Sequence, residues 1–513
     1  MKKIFLIVPI LFLIYVCTSC VNRVEIPIGK DATKDFSVNS HIANDAVYQA
    51  SNFLEISGKA ESGVVIVMTL LDYRGFVVEK IYDITDNNGS WKILLNTPKL
   101  SDKNYTIKIA DSKEKFKKEY TNIRFGEVWL VLGDKIKESL FMDTSEQEKT
   151  ASENQMFYID GKWQMASETI SVFGMKLINQ MIEKNHTLLK SPIAIVFATS
   201  DELSNAYSWL SKDIIDSRLS IKKYLESNGL YKEDINNIAE NDMAYYYETK
   251  LKNIEKFSFS KIIWNQGLKD FTDMKLQNVK FEYDYSQILF NLFSELEGLF
   301  STTTDILVLQ ESSNFVQGSE QLRKVQNNVC SYFAKCKIIT TYDLNVVVKK
   351  GTNEIIEKEN IKYTQDEIEI QGLNLDLLCD RIVTLSMDKN DVASVNNILQ
   401  VYNDEKMVTS IKLIFNNNVR FDLKDTEKIN GLEFFDENDE LIELDYEFVD
   451  NQIIIFLSEE VIQDEIVDDE KMGEVMIHKI SRISYAQSNF IYDNNITVNG
   501  IAIHPFEFIL ENK

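Results

Sequence analysis

The feature that most constrains the fold is a change of hydrophobic period along the chain. Between residues 36 and 123 short runs alternate in twos: FLEISGKA, GVVIVMTLLDY, VVEKIYDIT, SWKILLNT and NYTIKIAD. Turn sequences such as ESG, DNNGS and LSDKN divide them. A period of two with one apolar face predicts antiparallel strands packed as a β-sandwich. At Gly126 the character changes. GEVWLVLG, SPIAIVFATS, KIIWNQG, TDILVLQE and KIITTYDL now alternate with helical stretches such as TISVFGMKLINQMIEK. Strand-helix alternation predicts a doubly wound parallel sheet with helices on both faces. Towards the C-terminus the period of two returns in MVTSIKLIFNN, NQIIIFLS and HKISRISYAQS. The expected fold class is therefore α/β, over residues 124–392, with a helical insertion around 203–256. Antiparallel β-sandwich domains flank it at 36–123 and 393–513.

The first twenty residues, MKKIFLIVPILFLIYVCTSC, have the composition of an export signal. Lys2 and Lys3 form a positive start, Ile4 to Val16 an apolar stretch, and Thr18-Ser19-Cys20 a small-residue exit. A cysteine directly after small residues predicts a lipoprotein signal over 1–20, with Cys20 lipidated and a tether over 21–35. The alternative is an ordinary signal peptide that ends near a cysteine. No later run reaches the roughly 18 apolar residues a membrane helix needs. The expected location is the bacterial cell envelope, periplasmic or surface-exposed, with membrane contact through the lipid anchor only.

Of 513 residues 44% are hydrophobic and 26% charged, enough for two or three globular cores. The net charge is −25. Nucleic acid requires clustered Lys and Arg to displace counterions, so nucleic acid is not an expected partner. The four histidines, His41, His186, His478 and His504, have no second histidine or cysteine at ligand spacing. No metal and no cofactor is expected. Cys330 and Cys336 are close enough in sequence to pair, and two buried thiols are the equal alternative; Cys379 is left over.

In an open parallel sheet the ligand lies at the carboxyl ends of the strands. Those ends are Gly133-Asp134-Lys135, Thr199-Ser200-Asp201, Asn265-Gln266-Gly267 and Gln310-Glu311-Ser312, a polar set that suits a sugar better than a lipid. Ser200, Trp264, Asn265 and Gln266 are the candidate ligand-binding residues. For Trp264 core packing is the competing role.

At these strand ends the chain resembles the sialate O-acetylesterase family, carbohydrate esterases of the SGNH-hydrolase fold. AVYQASNFLEISGKAESG, DNNGSWKILL, GEVWL, DGKWQMAS, SPIAIVFATS, KIIWNQG, QLRKVQ and TTYDL occur in the family's order, and GLEFFDENDELIE and RISYAQSNFIYDN fit its C-terminal sandwich. The resemblance covers essentially the whole mature chain. It implies an SGNH-like sheet, a glycan or O-acetylated sialic acid as ligand, and acetyl-ester hydrolysis by a serine, a histidine and oxyanion donors.

Residue by residue, the match implies that this chemistry is degenerate. The family's Gly-Gln-Ser-Asn becomes Gly133-Asp134-Lys135-Ile136, with Lys135 in the nucleophile's place. Trp-Tyr-Gln-Gly-Glu-Ser-Asn becomes Trp264-Asn265-Gln266-Gly267-Leu268-Lys269-Asp270, which keeps Gly267 and loses the final asparagine. Asp-Ile-His-Pro-Lys aligns with Glu369-Ile370-Gln371-Gly372-Leu373, so Gln371 replaces the histidine. Glutamine cannot take up and return a proton near neutral pH. Lys135 beside Asp134 is expected as a charged, carboxylate-paired ammonium rather than a nucleophile. Ser139 lies inside the following helix, and His504 sits in the last strands with no acidic residue in the three positions before it. The expectation is no catalytic residue and a carbohydrate-binding or scaffold protein. The alternative is an active O-acetylesterase with relocated residues, Ser200 or Ser204 with a distant histidine.

Overall fold

A computed structural model describes residues 26–39, 41–136, 152–276, 281–300, 304–310, 319–352, 368–387, 395–402, 408–415, 422–423, 429, 431–449, 452–457, 459–461, 475–477, 480–485, 496–498, 501–503 and 506–510. The chain divides into two compact units, Met1–Glu127 with Lys256–Ser258, and Val128–Glu255 with Phe259–Lys513.

The described strands of the first unit fall in two sheets, antiparallel except where Val47–Gln49 runs parallel to Lys117–Asp134. Ser37–Val38, Phe53–Lys59 and Ser90–Asn96 form one. In the other, Val65–Asp72 lies between Val77–Ile84 and Asn104–Asp111, and the last pairs with the first part of Lys117–Asp134. The alternation read from sequence is the burial pattern: in Phe53–Lys59 every second residue is buried. Leu54, Ile56, Trp91, Ile93, Met68, Leu70, Ile107 and Ile109 form its core. The turn DNNGS closes because Asp86 Oδ1 accepts the N–H groups of Asn88 and Ser90, both at 2.8 Å, and Gly89 takes φ +74°. Residues 30–35, expected in the tether, are docked on this unit. Lys30 bridges Val64, Thr33 donates its N–H and hydroxyl to the Glu61 carboxylate, and the Phe36 ring meets Trp91 edge-on at 6.3 Å.

The second unit holds the strand-helix alternation. Its sheet runs in the order Lys162–Met165, Gln155–Ile159, Ile193–Ser200, Lys117–Asp134 from Val128 on, Lys261–Asn265, Asp305–Leu309 and Cys336–Ile339. Lys162–Met165 is antiparallel to its neighbour, whereas 155–159 with 193–200, and 261–265 with the strands on either side, are parallel. The chain leaves the Val128–Asp134 segment for one side of the sheet, then crosses to build the other side. That segment therefore borders a topological switch point, where ligands bind in open parallel sheets. Helices Val172–Lys184 and Leu375–Met387 cover one face through Trp129, Val131, Ile195, Ile263 and Leu307. On the other face Trp264 meets Phe293 of helix Phe281–Phe300.

The described residues beyond 392 include two four-stranded antiparallel sheets, with a smaller three-stranded and a two-stranded one. Ile411, Leu413, Ile453 and Ile455 from one and Phe434, Ile483, Tyr485 and Phe506 from the other share a core. Tyr342 is buried in that core and donates its hydroxyl to Ile503 O at 2.7 Å. The fold is thus mixed sheets with helices, flanked by sandwich-like antiparallel sheets. Cys330 and Cys336 are joined as a disulfide between helix Ser319–Cys330 and the strand that follows; Cys379 is a buried free thiol. Among the described residues no helix is long and apolar enough to cross a membrane.

Candidate functional site

The turn at the end of Lys117–Asp134 is shaped by a glycine. Gly133 has φ +100°, and a Cβ there would stand 2.4 Å from Asn265 O. Only glycine fits both the conformation and the approach. The next two side chains part ways. Asp134 is 4% exposed, whereas Lys135 is exposed. Successive side chains leaving a strand point to opposite sides, so adjacency in sequence does not make them partners. The expected Asp134–Lys135 ion pair is therefore absent. Asp134 Oδ1 instead accepts from Ser204 N at 2.8 Å, Ser204 Oγ at 2.5 Å and Ser200 Oγ at 3.1 Å.

Burial is the largest influence on Asp134 and raises its pKa to about 6, against the hydrogen bonds from Ser204 and Ser200 and the charge of Lys269. A second buried carboxylate lies in the same network. Asp270 Oδ2 accepts from Ala206 N at 2.9 Å and from Gln266 Nε2. Its Oδ1 has no partner among the described residues. Burial pushes Asp270 up to about 7, with the charges of Asp134 and Asp273 adding to the effect. Lys269 does not neutralise Asp270, because its ammonium pairs with Asp273 at 3.0 Å.

Backbone and amide donors of the turn are occupied from within. The Lys135 N–H donates to Ser200 O at 3.1 Å, and Asn265 Nδ2 donates to Asp134 O at 2.9 Å. Gln266 Nε2 donates to Ser204 O at 2.6 Å, its Oε1 accepts from Tyr285 OH at 3.2 Å, and its carbonyl accepts from Gln326 Nε2 at 3.1 Å. Gly267, at φ +143°, leaves room for Tyr285 OH and Leu322, both of which a Cβ would strike. Trp264 is fully buried, edge-on to Trp209 at 6.1 Å and to Phe293 at 6.3 Å. Of the four candidate ligand-binding residues, Ser200, Trp264 and Gln266 are thus enclosed by protein, and Asn265 is half-buried at the turn. Asp201 and Glu202, which follow Ser200 in the chain, are exposed.

Glu369 and Gln371 lie in strand Ile368–Leu373, antiparallel to Asn345–Lys349. The register pairs Ile370 with Val347 and Gly372 with Val346, so Gln371 falls at a bulge. Their side chains are outside the described residues, as are Ser139, His478 and His504. His41 is in the first unit, with Nε2 2.7 Å from Glu55 O. His186 is exposed in the turn His186–Leu188, ahead of the eight-residue strand Ile193–Ser200. That strand rises about 23 Å from Ile193 to Ser200, which stands at its far end from the turn that carries His186. Ser204 Oγ, besides binding Asp134, accepts Trp209 Nε1 at 2.9 Å, and the residue is fully buried. Among the described residues no group of three or more His, Cys, Asp or Glu is placed to hold a metal.

Asp270 was legible in sequence only as a lost asparagine. Its helical spacing from Gln266, one turn apart, was the signal that could have joined the two. Nothing local joins either to Ser204.

No family model matches the sequence, and no curated protein matches it. Solved structures do. A carbohydrate acetylesterase from Xanthomonas citri superposes with a TM-score of 0.65 at 12% identity, covering 92% of this chain and 99% of its own. β-Glucuronidases from Ruminococcus gnavus and Bifidobacterium dentium reach TM-scores of 0.28 and 0.27 at 9% and 14% identity. They cover 68% and 63% of this chain, and 60% and 56% of their own, and at that likeness bear on nothing here. The chain has a carbohydrate-esterase-like fold over nearly its whole length.

Proposed function

We propose that this protein is an exported, lipid-anchored member of the sialate O-acetylesterase type, of SGNH-like architecture, that binds carbohydrate or acts as a scaffold without hydrolysing it. The observation that carries this reading is the Gly133-Asp134-Lys135 turn. On this reading the glycine-dependent turn is a former nucleophile turn whose chemistry is closed. A lysine stands where the resemblance places the nucleophile, and its backbone N–H, the donor such a turn would offer an oxyanion, is bound to Ser200 O. Oxyanion donors act only if they are free when charge develops, and losing one typically costs 100- to 1000-fold, or about 3–4 kcal/mol. A glycan, such as an O-acetylated sialic acid, would meet Lys135, Asn265 and the exposed Asp201 and Glu202, rather than Ser200 or Trp264.

The alternative, an esterase using relocated residues, draws on the Ser204 hydroxyl bound to Asp134. Burial of Ser204 denies substrate that hydroxyl. The chain from Val21 is assayed with p-nitrophenyl acetate and with O-acetylated sialic acid. The expected rate equals that of buffer, with saturable glycan binding weakened by Lys135→Ala. Hydrolysis lost on Ser204→Ala or Ser200→Ala would establish the alternative. Hydrolysis lost on Lys135→Ala would make Lys135 the catalyst.

A further inference from the structure

The chain's large negative charge is not shared between its two units. From Val21 on, the first unit holds 16 Lys and Arg against 15 Asp and Glu, a near balance, and the remainder of the chain holds 37 against 65. Within the first unit, lysines gather at one end of a sheet. Asn104–Asp111 and Lys117–Asp134 are joined by a hairpin turn, SKEKF, and the run DSKEKFKKEY carries Lys113, Lys115, Lys117 and Lys118.

This hairpin lies against the N-terminal segment. Ser112 N donates to Val65 O, beside the Lys30–Val64 bridge; Lys115 Nζ donates to Ala32 O at 3.2 Å; and Lys118 Nζ lies 5.7 Å from the centre of the Phe36 ring. The acids of this end are largely engaged. Asp31 pairs with Lys113, Glu114 with Lys108, and Glu61 accepts from Thr33 and Lys34 N–H. Lys30, Lys34, Lys115, Lys117 and Lys118 have no ion pair among the described residues; nor do Asp35 and Glu119, nor Glu61, whose charge acts on Lys30.

Lys30 is ten residues from Cys20, a reach of at most about 35 Å for extended chain. Between them Ile28 is fully exposed. We infer that this lysine-bearing end of the first unit is a docking surface for an anionic phospholipid membrane, held against it by the short tether. The inference rests on the lipid-anchor reading for its geometry, but its chemistry stands alone. Lysines near an anionic leaflet attract it, and the attraction fades beyond about 8–10 Å of salt-screened distance. An unpaired cluster on the face from which the tether leaves is where that attraction acts. The second unit, with 37 cations against 65 acids, has a large acidic surplus instead.

The test is sedimentation of the chain from Val21, which retains every described residue, with vesicles of phosphatidylcholine alone or mixed with phosphatidylglycerol. Binding is expected only with phosphatidylglycerol. It should fall at least tenfold between about 0.05 and 0.3 M NaCl, and at least tenfold in Lys34→Glu/Lys117→Glu. Lys34→Arg/Lys117→Arg should bind as the parent does, and an unchanged circular dichroism spectrum would show that the glutamate variant is folded. Equal binding to both vesicle types, no binding at low salt, or binding unchanged by the charge reversal would overturn the proposal. Mass analysis of the Cys20 peptide from cells tests the anchor separately, so either can fail alone.

Discussion

At the scale of single residues, the site is governed by a glycine that permits a turn and by carboxylates without an ion pair among the described residues. Gly133→Ala forces a Cβ into Asn265 O at a positive φ, and it should destabilise the protein by about 2 kcal/mol or more. Urea denaturation of the variant checks this. Asp134 and Asp270 make an opposite kind of prediction to the usual acid. Their folded pKa values, about 6 and about 7, lie above the unfolded value near 3.9. Between about pH 4 and pH 7 the folded state therefore holds more protons than the unfolded one. Stability from this pair is greatest at low pH and is lost as pH rises, at up to about 1.4 kcal/mol per pH unit per group. The two titrate as a coupled pair rather than as separate residues. Asp270→Asn keeps the shape without the charge. It should flatten the decline, and urea unfolding at pH 5 and pH 8 should show a smaller difference than in the parent.

At the scale of elements, Lys117–Asp134 is a single strand whose residues up to Glu127 serve the first unit and whose residues from Val128 on serve the second. The period of two and the apolar run meet within it, and the boundary between the units falls at Val128. The segment around 203–256 supplies Ser204, Ala206 and Trp209 to the site, a contribution that no local pattern announces. Ser319–Cys330 and Cys336–Ile339 are tied by the disulfide. Closing so short a loop should contribute about 2 kcal/mol by restricting the unfolded chain. Cys330→Ser/Cys336→Ser should melt several degrees lower than the parent, and reductant should lower the parent to the same value.

At the scale of the molecule, charge is concentrated on one unit and the site's cations are few. A compact body with a strong surplus of one sign repels itself, and salt screens that repulsion. Raising NaCl from about 0.01 to 0.5 M should therefore raise Tm by a few degrees, read by calorimetry. A fall would show that paired surface charges matter more than the surplus. The likeness to a carbohydrate acetylesterase extends through both flanking β regions, so the sandwiches belong to the architecture and are not additions to it.

From the sequence alone came the alternation of strands, the switch to strand-helix order, the glycines at 133 and 267, and the residue types at the Gly133-Asp134-Lys135 turn. All are local: a period, a turn residue or an identity is legible wherever it stands. Tertiary structure decided which way Asp134 faces, that Asp270 joins its network through Gln266 and Ser204, that Trp264 is core, and that Cys330 pairs with Cys336. These depend on burial and on partners from distant segments. A buried polar group must find its hydrogen bonds where packing puts them, and no window of sequence contains that choice.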